Sequence, residues 1–169
     1  MGCGFMDNGP GQNPAASRCG RKSQGSRMSR KILLVEDNAD DAELTRLALD
    51  RHQLSSRVVH LTDGAQAIEY LFGAGGAAEA NDLSFILLDL KLPKVDGLQV
   101  LERIKGDPRT RSIPVVILSS SNQERDISRS FESGVNSYVV KPVQLDDYMD
   151  KVSAVGRYWN SVNERAMGA

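Results

Sequence analysis

Two acidic positions far apart in the chain close apolar runs in the same way. Phe85-Ile86-Leu87-Leu88 runs into Asp89, and Ile32-Leu33-Leu34-Val35 runs into Glu36-Asp37. A short apolar run reads as a buried strand, and a carboxylate at its end stands where the strand opens into a loop. Core packing does not ask for a charge there. If the two strands are neighbours in a parallel sheet, Glu36, Asp37 and Asp89 converge at its carboxyl edge. Carboxylates about 4 Å apart repel by roughly 4 kcal/mol per pair at an effective dielectric of ~20. Such a cluster calls for a cation, and an all-oxygen donor set of this kind suits Mg²⁺.

The remaining sequence supplies elements able to bring these groups together. After Lys31–Val35, the segment Asp40–Arg51 repeats Ala42, Leu44, Leu47, Ala48 and Leu49 at helical spacing. Val58, Val59 and Leu61 make a second strand. Asp63-Gly-Ala-Gln66 has capping-box spacing and opens a helix through Ile68, Leu71 and Phe72. Gly73 to Ala80 is expected to be a loop of small residues. The strand Phe85–Asp89 follows, then a helix through Leu98, Leu101 and Ile104 that Asp107-Pro108 stops. Pro114–Leu118 is apolar almost throughout, as in a strand buried on both faces. Ser121-Asn-Gln-Glu124 reads as a second capping box, opening a helix that turns Ile127 and Phe131 inward and ends near Gly134. Tyr138–Val140 is the fifth strand, and a last helix carries Leu145, Tyr148, Met149, Val152, Val155 and Trp159.

Strict strand–helix alternation predicts an α/β fold with a doubly wound, five-stranded parallel sheet. Right-handed crossovers place every strand-to-helix loop at one edge, where ligand chemistry gathers in such sheets. The runs ending at Asp37, Asp89, Ser119 and Lys141 all finish there.

A length of 169 residues, with 40% hydrophobic and 25% charged residues, fits one globular domain with a real core. No apolar stretch approaches the ~20 residues of a membrane helix, so no membrane association is expected. The formal charge of −1 gives no reason to expect nucleic-acid binding. The leading segment differs from the rest. Up to Arg27 it carries Arg18, Arg21, Lys22 and Arg27 against Asp7, and it is rich in Gly, Ser, Asn, Pro and Gln. It reads as a disordered tail or an upstream extension over 1–28, because it cannot bury enough apolar surface to offset its ordering entropy. Its Met-Gly opening fails as a myristoylation signal because position 6 is Met rather than Ser or Thr. Both cysteines, Cys3 and Cys19, lie in this tail. A domain without cysteine fits a reducing compartment, and a cytoplasmic location is expected.

Four motifs in order, Val35-Glu-Asp-Asn38, Leu87-Leu-Asp-Leu90 with Pro93 and Asp96-Gly97, Val115-Val-Ile-Leu-Ser119, and Tyr138-Val-Val-Lys-Pro142, resemble a response-regulator receiver domain. The resemblance implies a flavodoxin-like (βα)5 unit over residues 29–155, followed by a helical extension and tail over 156–169. Pro114 to Ser121, the loop Gly73–Ala80 and the ending Arg157-Tyr-Trp159 are most similar to single-domain regulators paired with bacterial phytochrome histidine kinases. It further implies that Asp89 accepts a phosphoryl group from a sensor histidine kinase. Asp37 would then bind Mg²⁺ directly, Glu36 through water, and Lys91 through its backbone carbonyl. Lys141 would place a point charge on the phosphoryl group, and a Lys141–Pro142 bond in the cis form would aim it inward. Ser119 and Tyr138 would form the switch, a hydroxyl and an aromatic ring that respond to the new charge.

Neither end of the chain reads as a DNA-binding module, so the output is expected to be a protein contact. Val155, Tyr158, Trp159 and Val162 at the end of the last helix point to a homodimer. A phosphatase that forms an aspartyl phosphate needs a second acid two residues after its nucleophile, and that position is Lys91. A receiver-like binding module that is never phosphorylated is the other alternative.

Overall fold

The computed structural model describes residues 30–163. The basic leading segment with Cys3 and Cys19, and the last residues of the tail, lie outside the described residues. Five parallel strands are arranged in the order β2-β1-β3-β4-β5. They are β1 (Lys31–Val35), β2 (Val58–Leu61), β3 (Leu83–Leu88), β4 (Val115–Ser119) and β5 (Ser137–Val140). Six α-helices connect and flank them: α1 (Ala39–Asp50), α2 (Gly64–Phe72), α3 (Gly76–Asn81), α4 (Gly97–Gly106), α5 (Glu124–Glu132) and α6 (Leu145–Arg157). A π-helical turn, Tyr158–Val162, continues α6.

Strand residues alternate between two cores, as the two-residue period of a strand requires. Ile32, Leu34, Phe85, Leu87, Val116 and Leu118 pack against Ala42, Ala48 and Leu49 of α1 and Tyr148 and Val152 of α6. Leu33, Val35, Ile86, Leu88, Val115 and Ile117 face Ala67 and Leu71 of α2 and Val100, Leu101 and Ile104 of α4. The doubly wound sheet expected from the sequence is therefore present, with its order reversing between β1 and β3.

Several local expectations change. Gly73–Ala80 is only partly a loop, because α3 begins at Gly76 after Gly75 turns the chain at φ 91°. Six residues are too few to display helical periodicity. The helix is tied down by Glu79, whose carboxylate accepts from the Tyr70 hydroxyl at 2.7 Å and the Lys31 ammonium at 2.9 Å. The first capping box forms with a shifted return bond. Asp63 accepts from Gln66 N at 2.8 Å, while Gln66 Oε1 accepts from Thr62 N at 3.2 Å rather than from the cap residue itself. The second capping box does not form. Helix α5 starts after Gln123, and the Ser121 hydroxyl donates instead to Asp126 Oδ2 at 2.5 Å. Phe131 points outward, 53% exposed, while Ser130 is buried with its hydroxyl bonded to the Asp126 carbonyl at 2.7 Å. Leu47 and Leu145 are exposed as well.

The loop that carries Asp89 away from β3 is gripped at two points where no side chain fits. A Cβ on Gly97 would lie 2.0 Å from the Asp89 carbonyl oxygen, and one on Gly64 would lie 2.0 Å from that of Val95. Backbone meets backbone there, so neither neighbour can yield as a flexible side chain would. Between them Lys94 adopts φ 65°, closed by a Val95 N to Pro93 O bond of 2.8 Å. Gly97→Ala is expected to lower the stability of the protein in urea unfolding by about 1–3 kcal/mol through overpacking. Gly106→Ala, where a Cβ meets nothing within 4 Å, is expected to be neutral or to stabilise by up to ~1 kcal/mol.

Candidate functional site

Strands β1 and β3 are hydrogen-bonded neighbours, with Val35 opposite Leu88. Their ends are held by continuing backbone bonds, Asp89 N to Val35 O at 3.0 Å and Glu36 N to Leu61 O at 3.0 Å. Glu36 and Asp89 are buried, at 2% and 6% exposure, and Asp37 is exposed. One carboxylate oxygen from each of the three lies within 4.8 Å of the others. Helix α1 is capped by Asn38, whose Oδ1 accepts from Asp40 N at 2.9 Å and Asp41 N at 3.1 Å. That leaves Glu36 and Asp37 without a helix-capping role. Two nearly buried carboxylates with an exposed third form an all-oxygen donor group open to solvent on one side, which fits a hard divalent cation.

Lys141 reaches the same place from the edge strand. Its backbone N donates to Ser119 O at 2.8 Å, extending the β4–β5 ladder one residue beyond β5. The ladder aims the side chain inward with a trans Lys141–Pro142 bond, so the cis form considered from the sequence is not used. The ammonium lies 2.6 Å from Glu36 Oε2, 2.8 Å from Asp41 Oδ2 and 3.1 Å from Asp89 Oδ2. Burial alone would lower its pKa, but the bonds to Asp41 and Glu36 and the charge of Asp89 outweigh burial and raise it. Lys141 is therefore a full positive charge at neutral pH. Burial, and secondarily the nearby Asp89 charge, pushes Glu36 upward against the opposing pull of Lys141.

Asp41 was not among the candidates from the sequence. It lies in the first turn of α1, three residues after the cap Asn38, and its partner Lys141 is 100 residues away, so nothing local in the sequence pairs the two.

Ser119 ends β4, fully buried, and its hydroxyl oxygen accepts from Ser121 N at 3.3 Å. Tyr138, half-buried on β5, donates its hydroxyl to the Ser121 carbonyl at 2.9 Å. Burial raises its pKa, so it remains a neutral donor. Ser121 thus joins Ser119, Tyr138 and, through Asp126, the first turn of α5. Lys91 projects an exposed side chain, and its backbone N donates to Asp89 Oδ1 at 3.2 Å. A cavity of about 460 Å³ lies beside it, lined by Leu90, Lys91, Asp96, Leu98, Asp126 and Arg129, among others.

A parallel sheet with an acidic cluster and one lysine at its switch point defines a class of protein, and the comparisons agree on it. The chain belongs to the response regulator receiver domain family, whose model matches residues 32–153. It is 42% identical over 129 residues to the probable methanogenesis regulatory protein FilR2 of Methanothrix harundinacea, covering 76% of this chain and 82% of that one. Response regulator Rcp1 of Synechocystis is 36% identical over 137 residues, covering 81% of this chain and 93% of Rcp1. A Mn²⁺-bound structure of Rcp1 superposes with a TM-score of 0.73 at 35% identity, over 82% of this chain and 99% of the other. The phosphorylated cyanobacterial phytochrome response regulator RcpA superposes with a TM-score of 0.75 at 40% identity, again over 82% of this chain and 99% of the other. Among the described residues, no helix is long and apolar enough to cross a membrane.

Removing the ammonium would leave buried carboxylates unpaired. Lys141→Met is expected to destabilise the metal-free protein by roughly 3–5 kcal/mol. Millimolar Mg²⁺ or Mn²⁺ is expected to restore more stability to the variant than to the wild type, as read by urea unfolding with and without the cation. An equal gain in both proteins would show that the cation and the lysine do not share these carboxylates.

Proposed function

We propose that this chain is a single-domain phosphoacceptor switch that receives a phosphoryl group on Asp89 from the phosphohistidine of a sensor histidine kinase. One observation carries the reading. A carboxylate with 6% exposure, at the end of the central strand, lies 3.1 Å from a lysine ammonium and beside two further carboxylates. An Asp89 oxygen attacks phosphorus as the phosphorus–nitrogen bond breaks, the electron pair leaves with the imidazole, and an acyl phosphate forms. Asp37 and Asp89 would hold Mg²⁺ directly, Glu36 through water, and the Lys91 carbonyl would complete the protein ligands. When bound, the ion neutralises charge on the phosphoryl oxygens, the main requirement of phosphoryl transfer. Lys141 would add its positive charge to the same oxygens.

Ser119 and Tyr138 would then form the switch. A phosphoryl oxygen drawing the Ser119 hydroxyl toward it disturbs the bond from Ser121 N, and with it the carbonyl that Tyr138 holds. Similarity to RcpA supports a phytochrome-type kinase as partner. In this reading residues 29–155 form the receiver unit, which works in the cytoplasm through protein contacts, binding neither nucleic acid nor membrane. The extension over 156–169 would contribute to a homodimer. Tyr158 and Val162 are 46% and 57% exposed there, and Tyr158 and Trp159 help to line a groove of about 370 Å³.

Intact mass after incubation with acetyl phosphate and Mg²⁺ tests the acceptor. A single phosphoryl addition is expected on the wild type, none on Asp89→Asn, and none in EDTA. Addition to Asp89→Asn would move the acceptor elsewhere. Sedimentation equilibrium tests the dimer, which would be abandoned if the protein remained monomeric with and without phosphorylation.

A further inference from the structure

Lys141 has one partner that the metal-binding reading does not use. Asp41 Oδ2 lies 2.8 Å from the ammonium, closer than Asp89 at 3.1 Å, yet Asp41 is outside the Glu36–Asp37–Asp89 donor group. The turn of α1 that bears it is braced from behind. Thr45 Oγ1 donates to the Asp41 carbonyl at 2.8 Å and meets the buried Tyr148 hydroxyl of α6 at 2.7 Å. Asn38 Oδ1 fixes the Asp41 N–H in front. The Asp41 carboxylate is therefore presented to Lys141 by a packed helix pair rather than by a loose surface turn.

Four carboxylates and one ammonium meet at this edge, a formal charge of −3 before any cation binds. A dication held by Glu36, Asp37 and Asp89 would cancel most of what attracts Lys141 to Glu36 and Asp89, and would repel the ammonium directly. Asp41 alone would keep its full attraction, because it is not a ligand. We propose that Asp41 is a positioning residue for Lys141, keeping the ammonium beside the acceptor when the metal site is loaded so that lysine and dication occupy the site together. The inference rests on the Mg²⁺-binding reading above and assigns Asp41 no contact with the reacting atoms.

Calorimetric titration of the full chain with Mg²⁺ tests it without any phosphoryl donor. Asp41→Asn is expected to weaken Mg²⁺ binding about tenfold, within the range of couplings measured between groups in contact. Asp40→Asn removes the same charge from the adjacent exposed residue and is expected to change affinity less than about twofold. Asp41→Glu should recover most of the loss. In a Lys141→Met background, Asp41→Asn should fall to the size of the Asp40→Asn effect. Equal weakening by Asp41→Asn and Asp40→Asn, or an undiminished loss without Lys141, would overturn the proposal. If Lys141→Met does not fold, the Asp41/Asp40 comparison and the glutamate variant decide alone. A wild type that binds no Mg²⁺ would instead remove the metal reading itself, which the other outcomes leave standing.

Discussion

A single ammonium shared among carboxylates is the constraint on which the structure depends. Glu36, Asp41 and Asp89 come from two strand ends and a helix, and each lies within 3.1 Å of Lys141 Nζ. Without that charge the carboxyl edge of the sheet would be a site of mutual repulsion in a poorly solvated place. With it, the edge holds together but stays short of positive charge. Such a centre is assembled in the resting protein and, being net negative, still attracts a cation. The surrounding backbone serves this arrangement: Gly64 and Gly97 let two helices close against the Asp89 loop, and Asn38 caps α1.

The sequence disclosed the sheet and the centre of the site because both follow from residue type at strand ends. An apolar run closed by an acid can be read without knowing what lies beside it, so Asp89, Glu36, Asp37 and Lys141 were visible. Elements whose identity depends on neighbours were not. Helix α3 is too short to show a period and is secured by Glu79 reaching Tyr70 and Lys31. Phe131 looked inward-facing at helical spacing from Ile127, yet the buried residue of that turn is Ser130, whose hydroxyl finds a carbonyl within its own helix. Asp41, one of two acids in the first turn of α1, carried no local mark of a distant partner. Its partner is Lys141, which reaches it from just beyond the end of β5.

The same reasoning explains why Ser121 matters more than its place in a run of three serines suggests. Its amide, carbonyl and hydroxyl are each committed, to Ser119, Tyr138 and Asp126 respectively. A change at any one of these is felt by the other two, because the residue is short and buried. Helix α5 contributes no buried apolar side chain, and its attachment depends correspondingly on polar bonds such as this one.

The strand order carries a mechanical consequence. Strand β3, which delivers Asp89, is paired on both sides and buried at every position except Ser84, whereas β5, which delivers Lys141 and Tyr138, is paired on one side only and is half-buried throughout. In the proposed reading the acceptor thus stands on a strand braced from both sides, and the groups that would sense it stand on an edge strand. Under that reading a new charge on Asp89 would meet an anvil behind it and a spring beside it, and displacement would be channelled outward to the edge strand β5.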